Sequence, residues 1–237
     1  MPAKAKIRIP EPLYSVQRYM YLVHTPQYVQ ALFPGLTWKM PSGQKEIYLT
    51  FDDGPIPEVT PWVLDLLRQY GAKATFFCVG DNVRKYPEIY QRIITEGHAV
   101  GNHTQNHLSG WSTENIPYFH NIRHCARIVN SGLFRPPYGK LRPSQIQFLS
   151  RHYRIIMWDV LSADFDNDIT PEACFLNVIQ HAEQGSIVVF HDSLKAQTNL
   201  RYALPLVLEH FKSEGYTFGA LKNEVPVKQV RKLKLAV

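Results

Sequence analysis

Ile47-Tyr48-Leu49-Thr50-Phe51-Asp52-Asp53-Gly54-Pro55 decides how this chain is read. Ile47 to Phe51 is uncharged and rich in β-branched and aromatic residues, the composition of a strand buried on both faces. It stops abruptly in two adjacent carboxylates and a Gly-Pro turn. A plain polar turn is one reading, since Asp, Gly and Pro are ordinary turn residues. Adjacent acids repel one another, however, so a cation or a network of donors must hold them. The end of a buried strand is also where α/β folds collect their chemistry.

Outward from this strand a βα rhythm appears. Residues 58–70 read as a helix, with Val59, Val63, Leu66, Leu67 and Tyr70 on one stripe and Gly71 as its stop. Further strands are expected over 74–79, 98–103, 133–135, 154–160, 186–191 and 217–221. Helices are expected over 87–96, 116–130, 144–152, 171–183 and 200–214. Such alternation implies an α/β fold of parallel strands with helices outside, either an open doubly wound sheet or a barrel. Ahead of it, residues 1–46 form an extension in which 32–38 read as an apolar strap and 1–19 as a leader before Met20. Residues 47–224 are then the main α/β unit and 225–237 a basic tail.

The chain has 237 residues, 45% of them apolar, enough for one domain with a large core. Its net charge of +6 invites a nucleic-acid reading, but the charge sits at the ends. Lys4, Lys6 and Arg8 at one end and Lys228, Arg231, Lys232 and Lys234 at the other leave the body at −1. A basic groove is not indicated, so no nucleic-acid partner is expected, and no obligate protein partner either. Cys78, Cys125 and Cys174 form no CxxC pair and read as buried free thiols. With no apolar run long enough to span a bilayer and no signal-peptide h-region, a cytoplasmic location is the expectation.

His103-Thr104-Gln105-Asn106-His107 places two imidazoles four apart directly after the third expected strand. On one helical turn both rings would reach one metal. The chain supplies its own control, because His120 and His124 have the same spacing. Those two lie mid-helix opposite the apolar stripe of Tyr118, Ile122, Cys125 and Val129, and read as surface residues. His103 and His107 instead follow a strand, as Asp52 and Asp53 do, and strand ends of one polarity meet at one rim. Two imidazoles and one carboxylate leave open positions on a catalytic metal, while the second aspartate stays free to take a proton from water. Arg135-Pro136-Pro137-Tyr138 and Val189-Phe190-His191 end two further strands.

Thr50-Phe51-Asp52-Asp53-Gly54, His103 to His107, Arg135 to Tyr138, Asp164-Phe165 and Val189 to His191 together resemble, in order, the five motifs of the polysaccharide deacetylases, carbohydrate esterase family four. The resemblance spans roughly residues 47–221. It implies a distorted (β/α)7 barrel and metal-dependent removal of N-acetyl groups from amino sugars such as N-acetylglucosamine. It implies Asp53, His103 and His107 as metal ligands, usually for zinc, with cobalt, nickel or manganese as alternatives. Asp52 becomes the general base and His191 the general acid. Arg135 orients Asp52, Asp164 holds His191 protonated, and the Tyr138 amide helps hold the oxyanion. Tyr138, Phe165 and Val189 are positions expected to touch substrate, and Trp111, just after the two histidines, is read either as a sugar-stacking aromatic or as core packing. The chain departs from the family pattern at the fourth motif, where Leu161 replaces an Asp and Phe165 replaces Trp or Tyr, a change that bears on substrate identity. Hydrolysis of another amide, such as a ureide, and sugar binding without turnover are the alternatives.

Overall fold

A computed structural model describes residues 21–41 and 43–222, so the expected leader and basic tail lie outside the described residues. Eight strands are β1 (Glu46–Asp52), β2 (Thr75–Cys78), β3 (Ala99–Asn102), β4 (Leu133–Phe134), β5 (Arg154–Ile155), β6 (Val160–Leu161), β7 (Ile187–His191) and β8 (Thr217–Phe218). The helices are α1 (Gln27–Leu32), α2 (Thr60–Tyr70), α3 (Gly80–Lys85), α4 (Pro87–Thr95), α5 (Asn115–Ala126), α6 (Pro143–Leu149), α7 (Pro171–Ile179) and α8 (Gln197–Ser213). The curled sheet runs β5-β4-β3-β2-β1-β7-β6, with β8 added beside the start of β1. Its strand pairs are parallel, which gives the (β/α)7 barrel.

β1 is the axis of this sheet. Successive side chains of a strand point to opposite faces. Ile47, Leu49 and Phe51 join the large core beneath α2, α7 and α8, together with Phe76, Val188 and Phe190. Tyr48 faces the barrel interior with Phe77, Ile156 and Ile187. Each fully buried Leu, Ile or Phe in these clusters contributes about 1.5–3 kcal/mol. The same alternation carries Thr50 and Asp52 to the interior face. Parallel pairing then sets Asp52 between Phe77 of β2 and His191 of β7.

The expected fifth strand over 154–160 is in fact two. β5 ends at Ile155 on β4, whereas β6 begins at Val160 on β7, at the other edge of the sheet. Residues 156–159 cross the open seam between those edges, which one continuous strand cannot do. The apolar strap fills that seam. Thr37 N–H donates to Ile155 O (2.9 Å) and Met157 N–H to Thr37 O (2.7 Å). On the opposite edge Met40 N–H donates to Gly185 O (2.8 Å) and Leu161 N–H to Val23 O (2.7 Å). Residues 23–40 are thus hydrogen-bonded into the barrel wall. Asp159 sits at the far end from the strand tips, tied to Ser186 Oγ (2.6 Å) and Gln30 Nε2 (3.2 Å). Cys78, Cys125 and Cys174 are buried free thiols, and among the described residues no helix is long and apolar enough to cross a membrane.

Candidate active site

Asp53 follows the last residue of β1 with φ 83°, a left-handed conformation that swings its side chain out of the strand's alternation. Asp52 stays inward beside Thr50, and one guanidinium serves both. Arg135 Nη1 donates to Asp52 Oδ1 (2.8 Å) and to Thr50 Oγ1 (2.7 Å). Its Nη2 donates to Met157 O (3.0 Å) and its Nε to Ile156 O (3.3 Å). The guanidinium also stacks 4.2 Å from the Phe77 ring centroid, and Arg135 is 0% exposed. Burial lowers its pKa against the opposing pull of Asp52, but a guanidinium keeps its charge in any protein setting. Asp52 thereby gains a fixed cation on one oxygen, leaving its second oxygen as an acceptor.

His103 and His107 do meet at one point, though not on a helix. Residues 103–107 form a loop in which Thr104 and His107 have φ values of 64° and 55°. Neighbouring side chains hold that loop. Asn121 Oδ1 accepts Gln105 N–H (2.8 Å) and Asn106 N–H (3.2 Å), and Asn102 Oδ1 accepts Thr104 N–H (2.9 Å). Nδ1 of His103 lies 2.8 Å from Arg135 O, so it carries the proton and leaves Nε2 as a lone-pair donor. Burial drives the His103 imidazole down to about 4, against the opposing charges of Asp52 and Asp53.

Nε2 of His107 and Nε2 of His103 lie 3.1 and 3.7 Å from Oδ1 of Asp53. That oxygen is shielded from solvent yet accepts no hydrogen bond. One ligand atom from each of the three residues falls within 4.8 Å of the others. A buried carboxylate oxygen with no donor, facing two imidazole nitrogens, fits a cation. Burial acts to raise the Asp53 carboxyl, but the imidazoles of His107, His191 and His103 outweigh it and hold it below the usual carboxylate range.

Across the rim, His191 ends β7. Its Nδ1 and its backbone N–H each lie 2.7 Å from an oxygen of Asp164, which is fully buried. Burial lowers the imidazole's affinity for a proton, but Asp164 more than reverses this and carries it up to about 9. Phe165 packs edge-on against His191, with centroids 5.1 Å apart, and against Tyr21. Tyr138 holds φ 62° and ψ 8°, lies 62% exposed, and sets its ring 4.7 Å from that of His107. Among the described residues, Asp53, Thr104, His107, Tyr138 and Ala163 are the non-glycine residues with positive φ, and all flank this rim. Concentrated backbone strain of this kind marks functional sites.

Trp111 is presented rather than packed in a core, at 60% exposure. Val189 is the exception among the expected contacts: it is 1% exposed on the inner face of β7, two residues below His191. The strand's alternation sends it into the barrel, on the same face as His191. His120 and His124 are exposed on α5, as expected. A groove of about 520 Å³ between α5 and α6 contains none of the strand-end groups, whereas one of about 270 Å³ opens beside Asp53 and His107.

Asp192 went unread in the sequence. It is fully buried and accepts Gly54 N–H (3.0 Å) and Thr60 Oγ–H (2.5 Å), while Asn82 Nδ2 donates to Asp53 O (2.8 Å). These bonds fix the turn that carries both aspartates. Burial pushes the Asp192 carboxyl up to about 7 despite the two donors.

The sequence pattern described as polysaccharide deacetylase matches residues 39–152. A peptidoglycan-N-acetylglucosamine deacetylase from Bacillus cereus is 35% identical, over 77% of this chain and 89% of its own. A chitooligosaccharide deacetylase from Azorhizobium caulinodans is 31% identical, over 83% of this chain and 94% of its own. A crystal structure of a peptidoglycan N-acetylglucosamine deacetylase superposes with a TM-score of 0.76 at 30% identity, covering 83% of this chain and 95% of that one. The shared barrel and the shared sequence point the same way as the strand-end chemistry: the chain belongs to the polysaccharide deacetylase family.

Proposed function

We propose that this protein is a metal-dependent hydrolase that removes the N-acetyl group from N-acetylglucosamine-type sugars in peptidoglycan or chitin-like glycans. The observation that carries the reading is the orphaned Asp53 oxygen facing two imidazole nitrogens, beside a separate carboxylate clamped by Arg135. Asp53, His103 and His107 would hold the ion, and two nitrogens with one oxygen suit zinc. When bound, a divalent ion supplies Lewis-acid polarisation of the amide carbonyl and lowers the pKa of water.

The chain's own groups supply the rest. Asp52, with one oxygen engaged by Arg135, takes a proton from the attacking water on the other. The Tyr138 amide, next to the metal ligands on a strained backbone, donates toward the developing oxyanion. His191 is protonated at neutral pH, with Nδ1 engaged by Asp164, and gives its Nε2 proton to the departing amine. Acetate release from chitooligosaccharides and peptidoglycan fragments, assayed with added zinc, tests the reading. Acetate is expected from at least one class, and none from either would overturn it.

A further inference from the structure

Beyond the reaction centre, one flank of the rim carries the exposed ammonium of Lys140. Lys140 Nζ stands 6.0 Å from the Tyr138 ring and 5.4 Å from the Trp111 ring. Among the described residues no carboxylate lies within ion-pair distance of it, although Arg142, two residues on, is paired with Glu114 at 3.0 Å. The aromatic surfaces around Lys140 are fixed although exposed. Trp111 Nε1 donates to Leu141 O (3.1 Å), and Trp111 O accepts Arg142 Nη2 (3.0 Å). Gln145, fully buried, donates to Gly110 O (2.9 Å) and accepts Arg142 N–H (2.9 Å), tying the Trp111 loop to the start of α6. A large aromatic held rigid in solvent loses little entropy on binding and offers a stacking face. From His107 the contacts follow in succession: Tyr138, then Lys140, then Trp111.

We propose that Tyr138, Lys140 and Trp111 form a subsite for the sugar unit adjoining the one that is deacetylated, and that Lys140 selects a carboxylate on that unit. The proposal rests on the deacetylase reading only for which sugar sits at the reaction centre. Trp111 supplies the apolar platform, on which the less polar face of a pyranose stacks. Lys140 meets the anion at the platform's edge, and its own cation–π contacts hold the ammonium there. Among neutral and acidic glycans, the subsite favours strands that alternate the acetamido sugar with a carboxylate-bearing one.

The test is a binding titration by calorimetry on the zinc-loaded protein carrying Asp52→Asn, which removes the base so that the oligomers bind without being hydrolysed. It compares a carboxylate-bearing glycan oligomer with the same oligomer reduced at its carboxyl groups to alcohols. The acidic oligomer is expected to bind about three- to fivefold more tightly, the range of a single solvent-exposed ion pair. Lys140→Gln is expected to erase that ratio, Lys140→Arg to keep it, and raised salt to shrink it. Trp111→Ala is expected to weaken both oligomers together. Equal affinities with Lys140 in place, or a ratio that survives Lys140→Gln in the same background, would overturn the subsite. A purely structural Lys140 would change stability and leave the ratio alone. Since binding is read without turnover, a failure here is distinct from an absence of acetate release.

Discussion

At the scale of single residues, the site works through pairs in which one member is fixed and the other stays available. Arg135 is held by two carbonyls and two side-chain oxygens, so Asp52 keeps one oxygen engaged and one for a proton. Asp52→Asn preserves shape and removes the base. It is expected to lower kcat by roughly 10²–10⁴, with bound zinc by metal analysis unchanged. Asp164 and His191 are the second such pair. Because His191 titrates up at about 9, it is a proton donor below that pH, and activity is expected to fall as pH rises through it. A bound divalent ion repels the imidazolium and moves the limb down from there. Asp164→Asn removes the attraction and leaves the burial penalty, so the alkaline limb of the pH–rate profile should shift down by roughly 1–3 units. An unshifted limb would assign it to another group.

At the scale of elements, the turn after β1 is the most constrained piece. A Cβ on Gly54 would lie 2.0 Å from Asp192 Oδ2, so the turn needs glycine to pass that buried carboxylate. Gly54→Ala is expected to displace Asp53 and weaken zinc about 10–100-fold in a chelator competition, the scale seen when a ligand's support is lost. The strap is the second such element. Thr37 donates to one edge strand, so Thr37→Pro deletes the bond to Ile155 O and leaves that carbonyl without its partner. Urea unfolding should show a loss of about 1–3 kcal/mol. A neutral result would mean that the seam closes without the strap.

At the scale of the whole molecule, the proposed ion and the His191 proton would both be linked to folding. Zinc that binds only the folded chain stabilises it by about 2.7 kcal/mol when free zinc is 100 times its dissociation constant. Chelation should therefore lower the thermal midpoint and abolish acetate release together, with both restored by added zinc. The His191 pair acts in the opposite pH direction from acid-labile carboxylates. Its folded pKa is raised, so its contribution is complete below the unfolded value near 6.5 and is lost as pH rises through about 9.

The fold class was legible because burial writes itself into sequence: an uncharged five-residue run must be a buried strand, and helices between such runs force parallel pairing. The strand-end positions of Asp52, Asp53, His103, His107, Arg135 and His191 followed from the same rhythm. Local pattern did not reveal how those residues converge. Helical spacing suggested that His103 and His107 share a face, but a strained loop braced by Asn121 and Asn102 brings them together. The split of residues 154–160 into two strands was equally hidden, because periodicity records burial and not which edge of a sheet a residue joins. Asp192 and Lys140 stand on the same footing: one is a carboxyl buried against a glycine, the other, among the described residues, a cation without an acid, and both properties belong to the tertiary surroundings. Sequence by itself determined which residues are buried and which end strands, since those depend on composition and period. Tertiary structure alone decided which polar atoms meet and which are left without partners, since that depends on where the barrel brings separate strands together.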